Sequence, residues 1–315
     1  MLFEIFSQNL AYVKHNPHVR MSPDFDDGVV CPICFKFFPR EALSQEYDDS
    51  LTLEDVPPAA LGGHPLVLTC KICNNNAGYK LDAHLLRKLK FDRFLAGSPN
   101  IEIEARFRPT KDIRLPATIQ FSMDGHLDIR CDPSRTDPEQ IRRFNEYGNM
   151  AQFNTFTLDF LPGHKINRPE IALLRIAYLL AFAKFGYGLL MNQAIQVVRQ
   201  QIQFPEKTIL PDWGIMPGNF PDETVGINVL IKPKELMGFF VVFDLSESNQ
   251  NTRYGILLPG PYSSIRIYNR LAELRSNTQE NPLTFSVQAV EDLDYLGDEK
   301  LAMASSFMID PERLK

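Results

Sequence analysis

The sequence lacks the features that would place it in a membrane or outside the cell. Its first ten residues contain Glu4 and no basic cluster, so they do not form a secretory signal pattern. Its most apolar stretch, residues 171–183, has 13 residues and is interrupted by Arg175, whereas a membrane span needs about 20. We therefore predict a cytoplasmic protein with no membrane partner, in which this stretch is a buried core helix.

The chain also lacks an excess of positive charge, since its 315 residues carry a net charge of −6. Overall charge thus gives no sign of a nucleic-acid partner, but its distribution is uneven. Residues 21–55 hold nine acidic and two basic residues, whereas residues 71–93 hold six basic and two acidic ones. A local basic stripe can contact phosphates even on an acidic protein, although a solvated helix face has the same composition. The candidate nucleic-acid contacts are Lys71, Lys80, Arg87 and Lys88.

Cysteine is scarce, yet its placement is not random. Four of the five cysteines form two C-x-x-C pairs, Cys31 with Cys34 and Cys70 with Cys73. In a cytoplasmic chain such pairs indicate metal binding rather than disulfides, and four thiolates suit a tetrahedral zinc ion. We predict one structural zinc held by these four residues, with an insertion in the 35 residues between the two pairs.

The chain contains no internal repeat and no low-complexity segment, and its length fits roughly two domains. Residues 1–95 hold the cysteine module, with short strands around Leu51–Val56 and Pro65–Cys70 and a helix over about 77–95. From about residue 100 the pattern alternates short strands with helices, among them a long apolar helix that begins at Pro169 and stops at Gly186. The predicted class is α+β, with a small module at 1–95 and a larger α+β domain at 100–315.

Residues 31–90 resemble the HNH endonuclease family, whose ββα-metal module is braced in many members by paired cysteines. That family shows an acid, a histidine and a proline, then Gly-Gly, then C-x-x-C followed by asparagine. Here the corresponding row is Glu54-Asp55-Val56-Pro57-Pro58, Gly62-Gly63, and Cys70 to Cys73 followed by Asn74. The resemblance covers this module only.

The resemblance assigns a role to each matched residue. Glu54 corresponds to the acid that binds the catalytic divalent ion, and Asn74 to the second protein ligand. One carboxylate and one amide oxygen suit Mg²⁺ or Mn²⁺, with water and phosphate completing the shell. The two side chains should therefore converge on a common point.

Asp55 departs from the family pattern, because it stands where the family has its general-base histidine. An aspartate with its ordinary pKa near ~3.9 is a much weaker base than a histidine near ~6.5. Three interpretations compete: Asp55 is a weaker base or an extra metal ligand, His64 beside the Gly-Gly turn substitutes, or this copy is inactive. A single histidine next to glycines is more often an ordinary surface residue, and His84 lies almost three helical turns beyond Asn74.

The resemblance implies a metal-dependent endonuclease that hydrolyses DNA phosphodiester bonds, in anti-phage defence or mobile-element biology. The alternative is a zinc-scaffolded module that binds nucleic acid or protein without catalysis. Residues 100–315 carry no recognised chemical motif, and we assign them to target recognition, sensing or oligomerisation, with a partner protein or a second copy of the chain.

Overall fold

A computed structural model of the chain describes residues 1–16, 27–148, 155–160, 169–247, 250–260, 263–277 and 284–304. Its helices are α1 (Leu2–Lys14), α2 (Lys71–Ala77), α3 (Ala83–Leu95), α4 (Pro138–Gly148), α5 (Pro169–Phe185), α6 (Gln193–Gln203), α7 (Arg266–Asn277) and α8 (Glu299–Ala304). Its strands in the first half are β1 (Gly28–Val30), β2 (Phe37–Pro39), β3 (Leu51–Val56), β4 (His64–Cys70), β5 (Ile103–Arg108), β6 (Leu115–Phe121) and β7 (Leu127–Cys131). The remaining strands are β8 (Thr157–Phe160), β9 (Ile215–Pro217), β10 (Gly226–Lys232), β11 (Gly238–Glu247), β12 (Gln250–Pro259) and β13 (Ser286–Ala289). The predicted α+β class is confirmed.

The chain divides into two compact units, and the division differs from the predicted one between residues 95 and 100. The first unit joins Met1–Ala83 to Arg168–Lys315, and the second is the intervening segment His84–Asn167. The cysteine module thus shares its unit with the long apolar helix α5. The physical reason is that strands β3 and β4 pack against α5, which lies 99 or more positions later in the chain than the end of β4.

Helix α5 is the core of the first unit. Twelve of its 17 residues are buried, because its apolar side chains point in every direction. Strands β11 and β12 and helix α6 pack against it, and Phe6 of α1 stacks on its Phe182. Within the described part of the chain, the segment Pro169–Met191 is long and apolar enough by composition to cross a membrane, but 83% of its apolar 18-residue window is buried inside the fold. The helix ends as predicted, at Gly186, whose φ of +61° favours glycine.

A five-stranded antiparallel sheet in the order β13-β10-β11-β12-β9 forms the other layer of this unit. Ten residue pairs join β11 and β12. Most of β11 is buried on both faces, which matches its nearly continuous apolar sequence. Strands β11 and β12 of this sheet and strands β3 and β4 of the cysteine module all pack against α5.

The predicted hairpin and helix of the cysteine module are present. Strands β3 and β4 pair antiparallel, with a register shift between Glu54 and Asp55, and α2 begins directly after β4. The backbone at Gly63 lies so close to that of Pro57 that only glycine fits there, since a Cβ atom on Gly63 would lie 1.5 Å from the Pro57 carbonyl oxygen. The helix starts earlier than predicted, at Lys71, and passes through a π-helical turn, Gly78–Asp82, before α3.

The second unit contains a four-stranded antiparallel sheet in the order β7-β6-β5-β8. Its buried side chains include Phe107, Leu115 and Ala117, against which Phe144 and Tyr147 of α4 pack. Strands β5, β6 and β7 and helix α4 agree with the short strands and helices that the sequence predicts from about residue 100.

Candidate metal centre and the adjoining hairpin

The four cysteines of the two C-x-x-C pairs lie together. The sulfur atoms of Cys31, Cys34, Cys70 and Cys73 are all within 4.8 Å of one another. Strand β1 leads into the first pair, and β4 ends at Cys70, whose sulfur accepts a hydrogen bond from the Cys73 amide at 3.4 Å and caps α2. Four sulfur donors around one point are a ligand set that could hold a metal ion.

The four thiols of the cluster shift one another's pKa. The pKa of Cys34 is lowered by hydrogen bonds from neighbouring thiols, and the bond from Cys31 has the largest effect. The pKa values of Cys70 and Cys73 are raised, and the largest cause for each is its hydrogen bond with Cys31. Sulfurs this close cannot all carry charge unless a cation replaces the protons between them.

Side chains from α5 and α6 hold the first cysteine pair in place. Tyr178 donates a hydrogen bond to the Pro32 carbonyl at 2.6 Å, and Arg199 Nη1 donates to the Ile33 carbonyl at 2.8 Å. The Arg199 guanidinium also lies 4.2 Å from the centre of the Phe35 ring. Sequence reasoning missed both residues, because they follow the cysteines by more than 100 positions and belong to helices without a motif.

Glu54 lies inside the protein, with 3% of its surface exposed. Its Oε1 atom is 2.6 Å from Nη2 of Arg175, and its Oε2 atom accepts a hydrogen bond from Thr69 at 2.9 Å. The Arg175 side chain is 2% exposed. The carboxylate predicted to bind a divalent ion is thus paired with a buried guanidinium from α5.

A second acid faces the same guanidinium. The Asp82 carboxylate, at the end of the π-helical turn, lies 3.7 Å from Nη1 of Arg175. Burial raises the pKa of Asp82, while the charge of Arg175 opposes that rise. Arg175 therefore lies between two acidic groups from different parts of the cysteine module.

Asn74 and Glu54 each contact one member of a cross-strand pair of threonines. The Asn74 amide nitrogen donates to Thr52 Oγ1 at 3.0 Å and to the Leu53 carbonyl at 3.5 Å. Thr52 is the cross-strand partner of Thr69, to which Glu54 is bonded. Asn74 therefore fastens the first turn of α2 to the hairpin on the side where Glu54 lies.

The other predicted catalytic and basic residues are distributed more widely. Asp55 is half-buried beside Pro65 of β4, and His64 is exposed at the start of that strand. Lys71 and Lys80 are exposed on the helical segment of the first unit. Arg87 and Lys88 belong to α3 in the second unit, as does His84, and the Lys88 ammonium is 2.5 Å from the Asp92 carboxylate.

A cavity of about 300 Å³ opens beside the cysteine cluster. Residues of the first cysteine pair, of α2 and its π-helical continuation, and of the C-terminal end of α6 line it. Cys34, Cys70 and Cys73 contribute to its wall, and so does Arg175.

Comparisons with protein-family models, with characterised proteins and with solved structures find no match for this chain.

Proposed function

We propose that the cysteine module is a zinc-stabilised ββα module of the HNH type that binds nucleic acid and does not cleave it. The observation that carries this proposal is the buried ion pair between Glu54 and Arg175. Three lines of argument support it: the donor set of the cluster, the state of Glu54, and the exposed surface of α2.

Zinc is the metal that suits the cluster best. Four thiolates supplied by two C-x-x-C pairs form the ligand set of closed, structural zinc sites. Thiolate ligands disfavour Mg²⁺ and Mn²⁺, which prefer oxygen. A closed site leaves no open position for a substrate, so the role of the metal here is to join the segments that carry β1 and β4.

The ion pair opposes divalent metal binding at Glu54. A carboxylate that binds Mg²⁺ or Mn²⁺ must turn an unshared oxygen towards the ion, but both Glu54 oxygens already have partners. A metal would have to displace Arg175 from Glu54 and leave the guanidinium only the more distant Asp82 at 3.7 Å, and breaking a buried pair costs about 3–5 kcal/mol. The guanidinium therefore supplies the positive charge that the resemblance assigns to a metal ion.

The exposed face of the helical segment after Cys70 suits nucleic acid. Its exposed side chains include Lys71, Asn75, Asn76, Tyr79 and Lys80, and Tyr79 is 80% exposed. From residue 71 to residue 81 the sequence has no acidic residue. Lysines contact phosphates, amides bond to base edges, and an exposed tyrosine offers a ring on which a base can stack.

The test is a titration of fluorescently labelled 20-base-pair DNA, followed by anisotropy at several salt concentrations. We expect Lys71→Glu to weaken binding several-fold and to reduce the slope of log affinity against log salt by about one. The matched control is Lys234→Glu, the same change at an exposed lysine of the same unit, which should bind like the wild type. Absence of binding by the wild type, or equal losses in both variants, would refute the proposal.

A DNA endonuclease is the second candidate. The observation that favours it is that Asn74 and Glu54 bond to two threonines, Thr52 and Thr69, that are cross-strand partners, so the two expected metal ligands lie near each other. In this candidate Arg175 releases Glu54 when DNA and Mg²⁺ or Mn²⁺ arrive, and Asp55 stands at the position of the base. A plasmid-nicking assay with either ion, on the wild type and on Asp55→His, separates the two candidates. Nicking by either protein that is lost in Glu54→Gln would favour the nuclease.

A further inference from the structure

The cavity beside the cysteine cluster combines two kinds of wall. Its lining includes the apolar residues Ile202, Phe204 and Leu81 and the amide residues Asn76 and Gln203. An apolar slot with a few convergent polar groups is the usual composition of a small-molecule site, and about 300 Å³ lies at the lower end of the size range of such sites.

Among the described residues, the charged side chains other than thiols that line this cavity are all basic. Lys36 has a side chain that is 62% exposed, and Lys80 is exposed as well, whereas Arg175 is 2% exposed and paired with Glu54. The two lysines therefore lie at the solvent side, and the guanidinium lies deeper. Lys36 also lies 3.5 Å from the Asp49 carboxylate, a distance at which water competes easily.

We infer that this cavity binds a nucleoside monophosphate, either free or at the end of a nucleic-acid strand. A nucleobase presents a flat apolar ring with a polar edge, which matches the Phe204 ring and the amides of Asn76 and Gln203. Its phosphate matches Lys36 and Lys80 at the solvent side. The thiolates repel a phosphate from the deeper part, so the base enters first. This inference goes beyond the proposed function, since Lys71 does not line the cavity.

The test is isothermal titration of the zinc-loaded protein with AMP, adenosine and inorganic phosphate. We expect AMP to bind, and adenosine and phosphate each to bind at least about tenfold more weakly, because each lacks half of the contacts. Failure of AMP to bind, or phosphate binding as tightly as AMP, would overturn the inference.

Gln203→Glu is the decisive variant. Gln203 Oε1 accepts a hydrogen bond from Arg199 at 3.1 Å, and a glutamate can keep that bond while it adds a negative charge beside the ligand. We expect AMP affinity to fall at least about tenfold. The matched control is Gln200→Glu, the same change on an exposed residue of the same helix, which should stay within about twofold of the wild type. Equal losses in both variants would refute the inference.

Two further variants, Lys36→Gln and Lys71→Glu, separate loss of the ligand from loss of the fold and from loss of DNA binding. Should Gln203→Glu lose zinc or thermal stability, Lys36→Gln replaces it, and AMP affinity should then fall about three- to tenfold; an unchanged affinity would count against the site. Lys71→Glu should bind AMP like the wild type even where it loses DNA, so the inference and the proposed function fail separately. Displacement of AMP by a 5′-phosphorylated oligonucleotide, but not by its unphosphorylated form, supports the strand end as the source; retention of AMP against both supports the free nucleotide.

Discussion

Arg175 is the buried cation that pairs with Glu54, the carboxylate predicted to bind a metal ion. It interrupts the most apolar stretch of the sequence, where a charged side chain needs a partner. Its partner, Glu54, is 121 positions earlier in the chain, so local pattern could not reveal the pair. The family resemblance assigned Glu54 to a metal ion, whereas the fold supplies a guanidinium.

Removal of Arg175 should destabilise the protein severely. In Arg175→Met the Glu54 carboxylate stays buried without its counter-charge, and we expect a loss of about 3–5 kcal/mol in the free energy of unfolding, measured with urea. The control is Arg270→Met, which breaks an exposed pair with Glu273 at 2.9 Å and should cost less than about 1 kcal/mol. Similar losses in both variants would contradict a buried, charged pair.

Asp82 should make stability depend on pH in a recognisable direction. Burial raises its pKa in the folded protein, so the folded state holds this proton more tightly than the unfolded state. Stability therefore falls as pH rises through the interval between the unfolded pKa, near 3.8, and the higher folded pKa. Asp82→Asn removes this dependence, so the variant should gain stability relative to the wild type at neutral pH.

The measurement is the urea midpoint from pH 3 to pH 7 for the wild type and Asp82→Asn. The difference between the two should shrink as pH falls towards 3.8. Asp112→Asn, at an exposed carboxylate of the other unit, controls for the loss of a surface charge. A gain that is constant over the whole range would show that the titration of Asp82 is not its cause.

At the scale of elements, the sequence predicted much of this fold. Strands β3 and β4, the long helix α5 and its end at Gly186 followed from alternation, apolar content and the flanking proline and glycine. The start of the helix after Cys70 was misplaced by six positions, because C-K-I-C-N-N-N has no helical apolar pattern. The sulfur of Cys70 caps that helix, and such a cap is visible only once the cysteine cluster is assembled.

The candidate site was predictable only where it depends on local sequence. The spacing of two C-x-x-C pairs identified the four metal-binding candidates, because ligand spacing is a local property. The partners of Glu54, the supports of the first pair by Tyr178 and Arg199, and the cavity arise from packing between distant elements. No local period encodes such contacts.

Loss of one cluster cysteine should remove the metal and loosen α2. We expect wild-type protein to carry one zinc per chain, and Cys70→Ser to carry essentially none, because three thiolates and a hydroxyl bind zinc far more weakly than four thiolates. Elemental analysis of the purified protein measures the metal, and far-UV circular dichroism reports the helix.

Cys131→Ser is the matched control for that variant. Cys131 ends strand β7 in the second unit and lies outside the cluster, so its replacement should leave the zinc content at one per chain. Zinc-free wild-type protein that is nevertheless folded would rule out the structural role of the metal.

At the scale of the whole molecule, the two units should respond differently to loss of metal. All four cluster cysteines belong to the first unit, whereas the sheet β7-β6-β5-β8 of the second unit has a core of its own around Phe107 and Ile119. After a zinc chelator is added, amides of β3, β4 and α2 should exchange with deuterium faster, while those of β5 and β6 keep their rates. Mass spectrometry of exchanged peptides measures this. Equal acceleration in both units would mean that they unfold as one.

The split first unit also sets an order of events during synthesis. Arg199 follows Cys73 by 126 residues, which a ribosome working at about 5–20 residues per second adds in roughly 6 to 25 seconds. Both residues pass through the ribosome at the same rate, so Cys73 leaves the ribosome ahead of Arg199 by the same interval, and during it the cysteine pairs lack the support of Arg199. A metal ion bound by the four cysteines would keep the two pairs together during this time, so metal supply during synthesis would then matter as well as metal supply to the finished protein.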